Sequence, residues 1–136
     1  MRHLLAGLLL AIWTVQAPAA QADDATDIQG VISDQIAAFQ ADDFDTAFTF
    51  ASPMIKSLFG TSSRFGQMVQ QGYPMVWRPA DVRFIELERR GGRLVQGVMI
   101  TDQTGALHVL DYEMVPEAGG WRINGVRFRP AAGAGA

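Results

Sequence analysis

Residues 82–115 read VRFIELERRGGRLVQGVMITDQTGALHVLDYEMV, and this stretch decides the fold class. Branched and aromatic side chains alternate with polar ones through residues 82–90, 93–101 and 106–115, the two-residue period of half-buried strands. Gly91-Gly92 is a two-residue hairpin signal, and residues 102–105 form a second turn. Residues 116–120 lead into a last strand at 121–129. The reading is therefore an antiparallel meander of four strands. With a two-residue turn at Gly91-Gly92 and a four-residue turn at 102–105, period two places Ile85, Leu87, Leu94, Val98, Ile100, Leu107 and Val109 on one core face. In the last strand a bulge at Asn124-Gly125 would bring Trp121, Ile123, Val126 and Phe128 to the same side. Asn-Gly is also a hairpin signal, but the arms here are only three residues, short for independent strands.

Upstream the period is helical. Ile28, Val31, Ile32, Ile36 and Phe39 recur at three- and four-residue spacing, predicting an amphipathic helix over residues 25–41 with Asp23, Asp24 and Asp27 around its start. Residues 42–45 break that stripe and begin a second helix carrying Phe44, Ala47, Phe48 and Ala51. Ser52-Pro53 starts a third, closed by Gly60, because serine caps and proline fits the first helical position. Ser62 or Ser63 can cap a fourth, with Phe65, Met68 and Val69 inward and Gly72 as a left-handed terminator. Residues 73–79, which contain Pro74 and Pro79, are expected to be irregular or on an edge. Helices first and a meander second imply an α+β domain, with the helices on one face of the sheet.

Met1, Arg2 and His3 make a short basic start, residues 4–15 are almost unbroken apolar sequence, and Ala20-Gln21-Ala22 has the small residues of a signal-peptidase site. Residues 1–22 are therefore expected to be a cleavable export signal, cut after Ala22, which places the chain in the periplasm or outside the cell. The apolar run is shorter than the roughly 20 residues that span a bilayer, so no stable membrane anchor is expected. Residues 23–130 then form one domain, and the alanine- and glycine-rich tail 131–136 is expected to be disordered. No cysteine is present among the 136 residues, which excludes disulfide scaffolds, thiol catalysis and thiolate zinc sites. Loss of Arg2 with the signal would leave 10 basic against 14 acidic groups, net −4, a balance that argues against nucleic acid.

Gly72-Tyr73-Pro74, the turn at 102–105, Tyr112-Glu113-Met114 and the closing Gly120-Trp121-Arg122-Ile123-Asn124-Gly125-Val126 resemble the bacterial domain of unknown function 4864, within the nuclear-transport-factor-2-like, or cystatin-like, fold. The resemblance spans most of residues 23–129. It implies a cone-shaped α+β domain whose curved sheet wraps the helices and often leaves a pocket at the wide end. Isomerases, dehydratases, hydrolases and plain binding modules share that fold, so the resemblance does not settle function.

The register above sets Gln96, Asp111 and Glu113 on an otherwise apolar face, with Gln96 opposite Asp111. A carboxylate there would be partly desolvated, its pKa raised toward that of a general acid or base. Ketosteroid isomerase, on the same fold, pairs an aspartate base with a tyrosine, and Asp111 with Tyr73 would be the analogous candidates. The structural alternative is that Gln96 and Asp111 hydrogen-bond each other while Glu113 pairs with Arg89 or Arg122. Phe65, Tyr73 and Trp77 are candidate walls of a pocket, with Arg78 attracting an anionic group and Gln96 and Glu113 as further lining. The alternative for residues 73–77 is a proline-locked crossover packed over the core end. Lone His108 and the aspartates at 42, 43 and 45 make no metal site, and neither metal nor organic cofactor is expected. The same register sets Phe84, Met99, His108, Leu110, Tyr112 and Met114 on the outer sheet face, an apolar patch that predicts a homodimer packed sheet to sheet. Two functions follow: a non-catalytic module that binds a small apolar or anionic molecule or a partner protein, or a cofactor-free enzyme of isomerase, dehydratase or hydrolase type with Asp111 as acid or base.

Overall fold

Apolar residues that return every three or four positions make a helix with one buried stripe. A computed structural model describes residues 19–130, and in it α1 (Ala19–Gln40) buries Ile28, Ile32, Ile36 and Phe39 along one side. Of the expected signal, only residues 19–22 fall among those described, and the expected tail 131–136 lies outside them. The helix is already formed at Ala19, so Asp23, Asp24 and Asp27 sit in its body and do not cap its start. It ends where Asp42 takes a left-handed φ of 56°. The amides of Asp42 and Asp43 then donate back to the carbonyls of Phe39 and Ala38, closing the final turn.

Short helices follow, the first three each started by a polar cap. Asp43 accepts from the amide of Thr46 at the head of α2 (Phe44–Thr49), and Ser52 accepts from the amide of Ile55 at the head of α3 (Pro53–Phe59), with Pro53 in the first turn. Gly60, at φ 78°, stops α3 as expected. The cap of α4 (Ser62–Gly72) is Thr61, not Ser62 or Ser63. Nor is Gly72 left-handed: it is the last helical residue, and the chain turns at Tyr73, which the following proline disfavours from the helical region. Residues 74–77, expected to be irregular, form the short helix α5 (Pro74–Trp77), because a proline in the first turn has no donor to lose.

The sheet is antiparallel in the order β1 (Asp81–Arg90), β2 (Arg93–Thr101), β3 (Leu107–Glu117), β4 (Gly120–Phe128). Helices packed against a four-stranded open sheet give the α+β fold that the sequence implies. Gly91 and Gly92, at φ 54° and 80°, make the two-residue turn, with Arg90 paired to Arg93. The expected bulge in β4 is also present: Glu113 pairs with Gly125 and Met114 with Ile123, so Asn124 is the extra residue and Trp121, Ile123, Val126 and Phe128 pack on the core side.

The second turn differs from expectation, and the difference propagates. Asp102 Oδ1 accepts from the amides of Thr104 and Ala106 and from the Thr104 hydroxyl, while the amide of Asp102 donates to the carbonyl of Ala106. Ala106 therefore belongs to the loop, and Thr101 pairs with Leu107. One residue of shift turns every side chain of β3 over. Leu110, Tyr112 and Met114 are buried under the helices, whereas Leu107 is exposed and Asp111 and Glu113 lie on the outer face. A second irregularity, between Phe84 and Leu87, moves Phe84 to the core side and Ile85 to the outer face, where it lies over Gly97. The apolar patch expected to hold two copies together does not form, because Phe84, Leu110, Tyr112 and Met114 belong to the core. His108 stands at the sheet end, its Nε2 2.7 Å from Asp102 Oδ2, and only Met99 of the six lies on the outer face.

Candidate functional site

The outer face carries charge where apolar contact was expected. Asp111 accepts from Arg129 at 2.7 Å and from Arg90 at 3.2 Å, and Arg129 also meets Glu86 at 2.7 Å. Partial burial pushes the Asp111 carboxyl up, but the hydrogen bonds and positive charges of Arg129 and Arg90 outweigh it and hold the group below its ordinary value. A general base needs the opposite shift. Asp111 lies across the sheet from Tyr73, so the structure does not bring that candidate pair together, and Gln96 faces Tyr112, not Asp111. Because the folded-state pKa is depressed, the stabilisation by Asp111 is complete above its unfolded value near 3.8 and is lost as pH falls through the lower folded value. Asp111→Asn is expected to lower Tm at pH 7, with the gap to wild type closing below pH 3.8; an unchanged gap in calorimetry across that range would count against the ion-pair account.

Other sequence candidates also have structural duties. Gln96 is buried at the first bulge, its Nε2 donating to the carbonyls of Ile85, Glu86 and Gly97. Glu113 accepts from Asn124 Nδ2 at 2.6 Å and faces Arg93 at 3.6 Å, rather than Arg89 or Arg122. Trp77 Nε1 and Arg78 both donate to Asp42, at 2.9 and 2.8 Å, and Arg78 also donates to the carbonyls of Phe39 and Gln40. These two residues close the C-terminal end of α1, where a cation suits both the free carbonyls and the dipole. Neither is among the residues that border the cavity between the helices and the sheet.

The helices and the sheet leave open space between them. A cavity of ≈ 210 Å³ lies there, bounded by Gln35 and Phe39 of α1, Ile55, Leu58 and Phe59 of α3, Phe65, Met68 and Val69 of α4, then Tyr73 and Val76, with Tyr112, Ile123 and Val126 from the sheet as its floor. Phe65 and Tyr73 are the pocket candidates that the structure places on it. Phe65 sits among Phe39, Phe48 and Phe59 with ring centroids 5.2 to 5.8 Å apart. Tyr73 stacks on Phe128 at 5.0 Å and donates its hydroxyl to the carbonyl of Val126 at 3.0 Å. Among the described residues, no side chain on the wall is a carboxylate, a histidine, a lysine or an arginine. At the mouth, Leu58 is 71 % exposed although it borders the cavity, and α3 has no buried residue.

Tyr112 is the residue that the sequence reading missed. It is fully buried, lines the cavity, and its hydroxyl has no hydrogen-bond partner in the structure. Burial, and then the nearby phenol of Tyr73, push its ionisation well above the ordinary tyrosine value, so it stays a neutral donor. A signal for its placement was present: Asp111 and Glu113 share one parity, and giving that parity to solvent turns Leu110, Tyr112 and Met114 inward.

Among the described residues no group of three His, Asp or Glu side chains is placed to hold a metal ion, and no helix is long and apolar enough to cross a membrane. Comparison with curated proteins and comparison with solved structures each return no match. A family model does match, over residues 21–136, which takes in all four strands and every helix after the first residues of α1. The chain therefore belongs to the family described as domain of unknown function DUF4864.

Proposed function

We propose that this chain is an exported, non-catalytic module that holds a small apolar ligand between α1, α3, α4 and the sheet. One observation carries the reading: an apolar cavity whose floor bears a buried hydroxyl without a partner. Buried polar groups in native folds are almost always satisfied, and a cavity beside an exception is where the missing partner belongs. Catalysis is the weaker alternative, because among the described residues phenols are the only titratable groups on the wall and the carboxylate nominated for acid–base work is held ionised on the opposite face. Export rests on the basic start, the apolar run of residues 4–15 and the small residues before Asp23.

Two measurements test this. Intact mass of the chain recovered from a bacterial periplasm is expected to begin at Asp23, and retention of residues 1–22 would refute export. For binding, toluene at about ten times its Kd is expected to add about 1.4 kcal/mol, several degrees of Tm. Val69→Phe, which extends a side chain into the cavity, should abolish that gain. A wild-type protein stabilised by neither toluene nor acetophenone would refute the binding role.

A further inference from the structure

The ligand's chemistry can be narrowed from the cavity's size and from the one lining group that is fully buried without a partner, the Tyr112 hydroxyl. Its ≈ 210 Å³ exceeds the roughly 150 Å³ of an apolar cavity that holds benzene and falls short of the roughly 300 Å³ at which drug-sized sites begin. The occupant is thus about the size of a substituted single ring or a short branched chain. Among the described residues no cation or anion stands on the wall to compensate a charged group, and a lone charge taken out of water there would be strongly disfavoured. The ligand is therefore uncharged.

Its polar group follows from which hydrogen bonds are already made. Gln35 uses its amide nitrogen on the carbonyl of Ala47 at 3.1 Å, and Tyr73 uses its hydroxyl on Val126. Tyr112, fully buried on the cavity lining, has a hydroxyl with no hydrogen-bond partner among the described residues. A purely apolar occupant would leave that donor stranded, and an occupant with a carbonyl oxygen at its inner end would satisfy it. Resting on the binding role proposed above, we infer that the cavity takes a neutral carbonyl compound of single-ring size, with Tyr112 as the donor to its oxygen and the apolar remainder directed toward α3. The specificity is of the asymmetric kind: a site built around one buried donor rejects the analogue that lacks an acceptor.

Cumene, acetophenone and benzoate have the same number of non-hydrogen atoms and differ in the group presented to Tyr112. Their affinities for wild type, Tyr112→Phe and Tyr73→Phe are to be measured by calorimetric titration on the full chain, as recovered after expression. Wild type is expected to bind acetophenone roughly tenfold more tightly than cumene, the worth of one hydrogen bond made by an otherwise unsatisfied donor, and to show no heat with benzoate. Tyr112→Phe removes a buried hydroxyl that bonds to nothing, so it should fold, keep cumene binding and lose the preference. Tyr73→Phe should keep the preference, since that hydroxyl is already committed to Val126. Equal affinity of wild type for cumene and acetophenone, tight binding of benzoate, or a preference that survives in Tyr112→Phe would each overturn the carbonyl inference while leaving the cavity's binding role standing. Absence of binding by all three would overturn both.

Discussion

Phe39→Ala is expected to lower the free energy of unfolding by about 3–5 kcal/mol, the range for removing a buried aromatic ring. Phe39 is almost fully buried at the C-terminal end of α1, with ring centroids 6.2 Å from Phe44 and 5.8 Å from Phe65. It also forms part of the cavity wall, so the space left by the ring would join a void that already exists, and the surroundings could not collapse to fill it. Small domains have only about 5–15 kcal/mol in total, so the variant should lie near the edge of folding. Urea denaturation at neutral pH checks this through the shift in midpoint. A loss under about 1 kcal/mol would mean that the aromatic cluster is not the packing centre that the geometry describes. Phe39→Leu, which keeps most of the volume, should lose substantially less.

Asn124→Ala is expected to be the next most damaging, at about 2–3 kcal/mol, for a different reason. The extra residue of the β4 bulge would ordinarily be a weakness in the ladder, yet here it is a junction. Its Oδ1 accepts from the Ser52 hydroxyl at 2.8 Å and its Nδ2 donates to Glu113 at 2.6 Å. Ser52 itself caps α3 and donates its amide to the carbonyl of Ile123, and the amide of Ile123 donates to Phe50. One side chain thus ties the start of α3, which roofs the cavity, to the strand that floors it. Removing it strands the buried hydroxyl of Ser52, and unsatisfied buried groups cost more than made hydrogen bonds gain, while Glu113, partly exposed and facing Arg93, loses one hydrogen bond. The distinguishing readout is hydrogen exchange: amides of residues 53–59 should lose protection in Asn124→Ala before those of β2 do. Uniform loss would show that the junction does not hold α3 in particular.

Much of this architecture was legible because it is written in local chemistry. A serine followed by proline starts a helix whatever surrounds it; paired glycines at 91 and 92 make a two-residue turn through their access to positive φ; and α1 announces itself by its stripe. The bulge at Asn124 could be inferred because Trp121 and Ile123 share one parity and Val126 and Phe128 the other, and only an extra residue reconciles them. The site was legible in smaller part. Phe65 and Tyr73 were found by residue type, whereas Tyr112 was assigned to the opposite face together with Leu110 and Met114.

That misassignment has one physical source. Whether Ala106 belongs to the loop or to the strand is decided by three hydrogen bonds to Asp102 Oδ1 and by the positive φ of Gly105, and four- and five-residue turns of this composition read alike. Because side chains alternate, that single residue exchanges the core set of β3 for its outer set, and with it Asp111 for Tyr112 as the polar group under the helices. The sequence alone determined the class of fold, the order of the first four helices and the four strands, and the start and stop of α3 at Ser52 and Gly60, all of which depend on neighbours a few residues away. Only the tertiary structure decided which face of β3 meets the helices, that Arg78 closes α1 in place of meeting a ligand, and that a cavity floored by an unpartnered hydroxyl remains between the layers. Those outcomes are set by pairing across the sheet and packing between layers, where contacts join residues far apart in the chain and a one-residue shift changes every one of them.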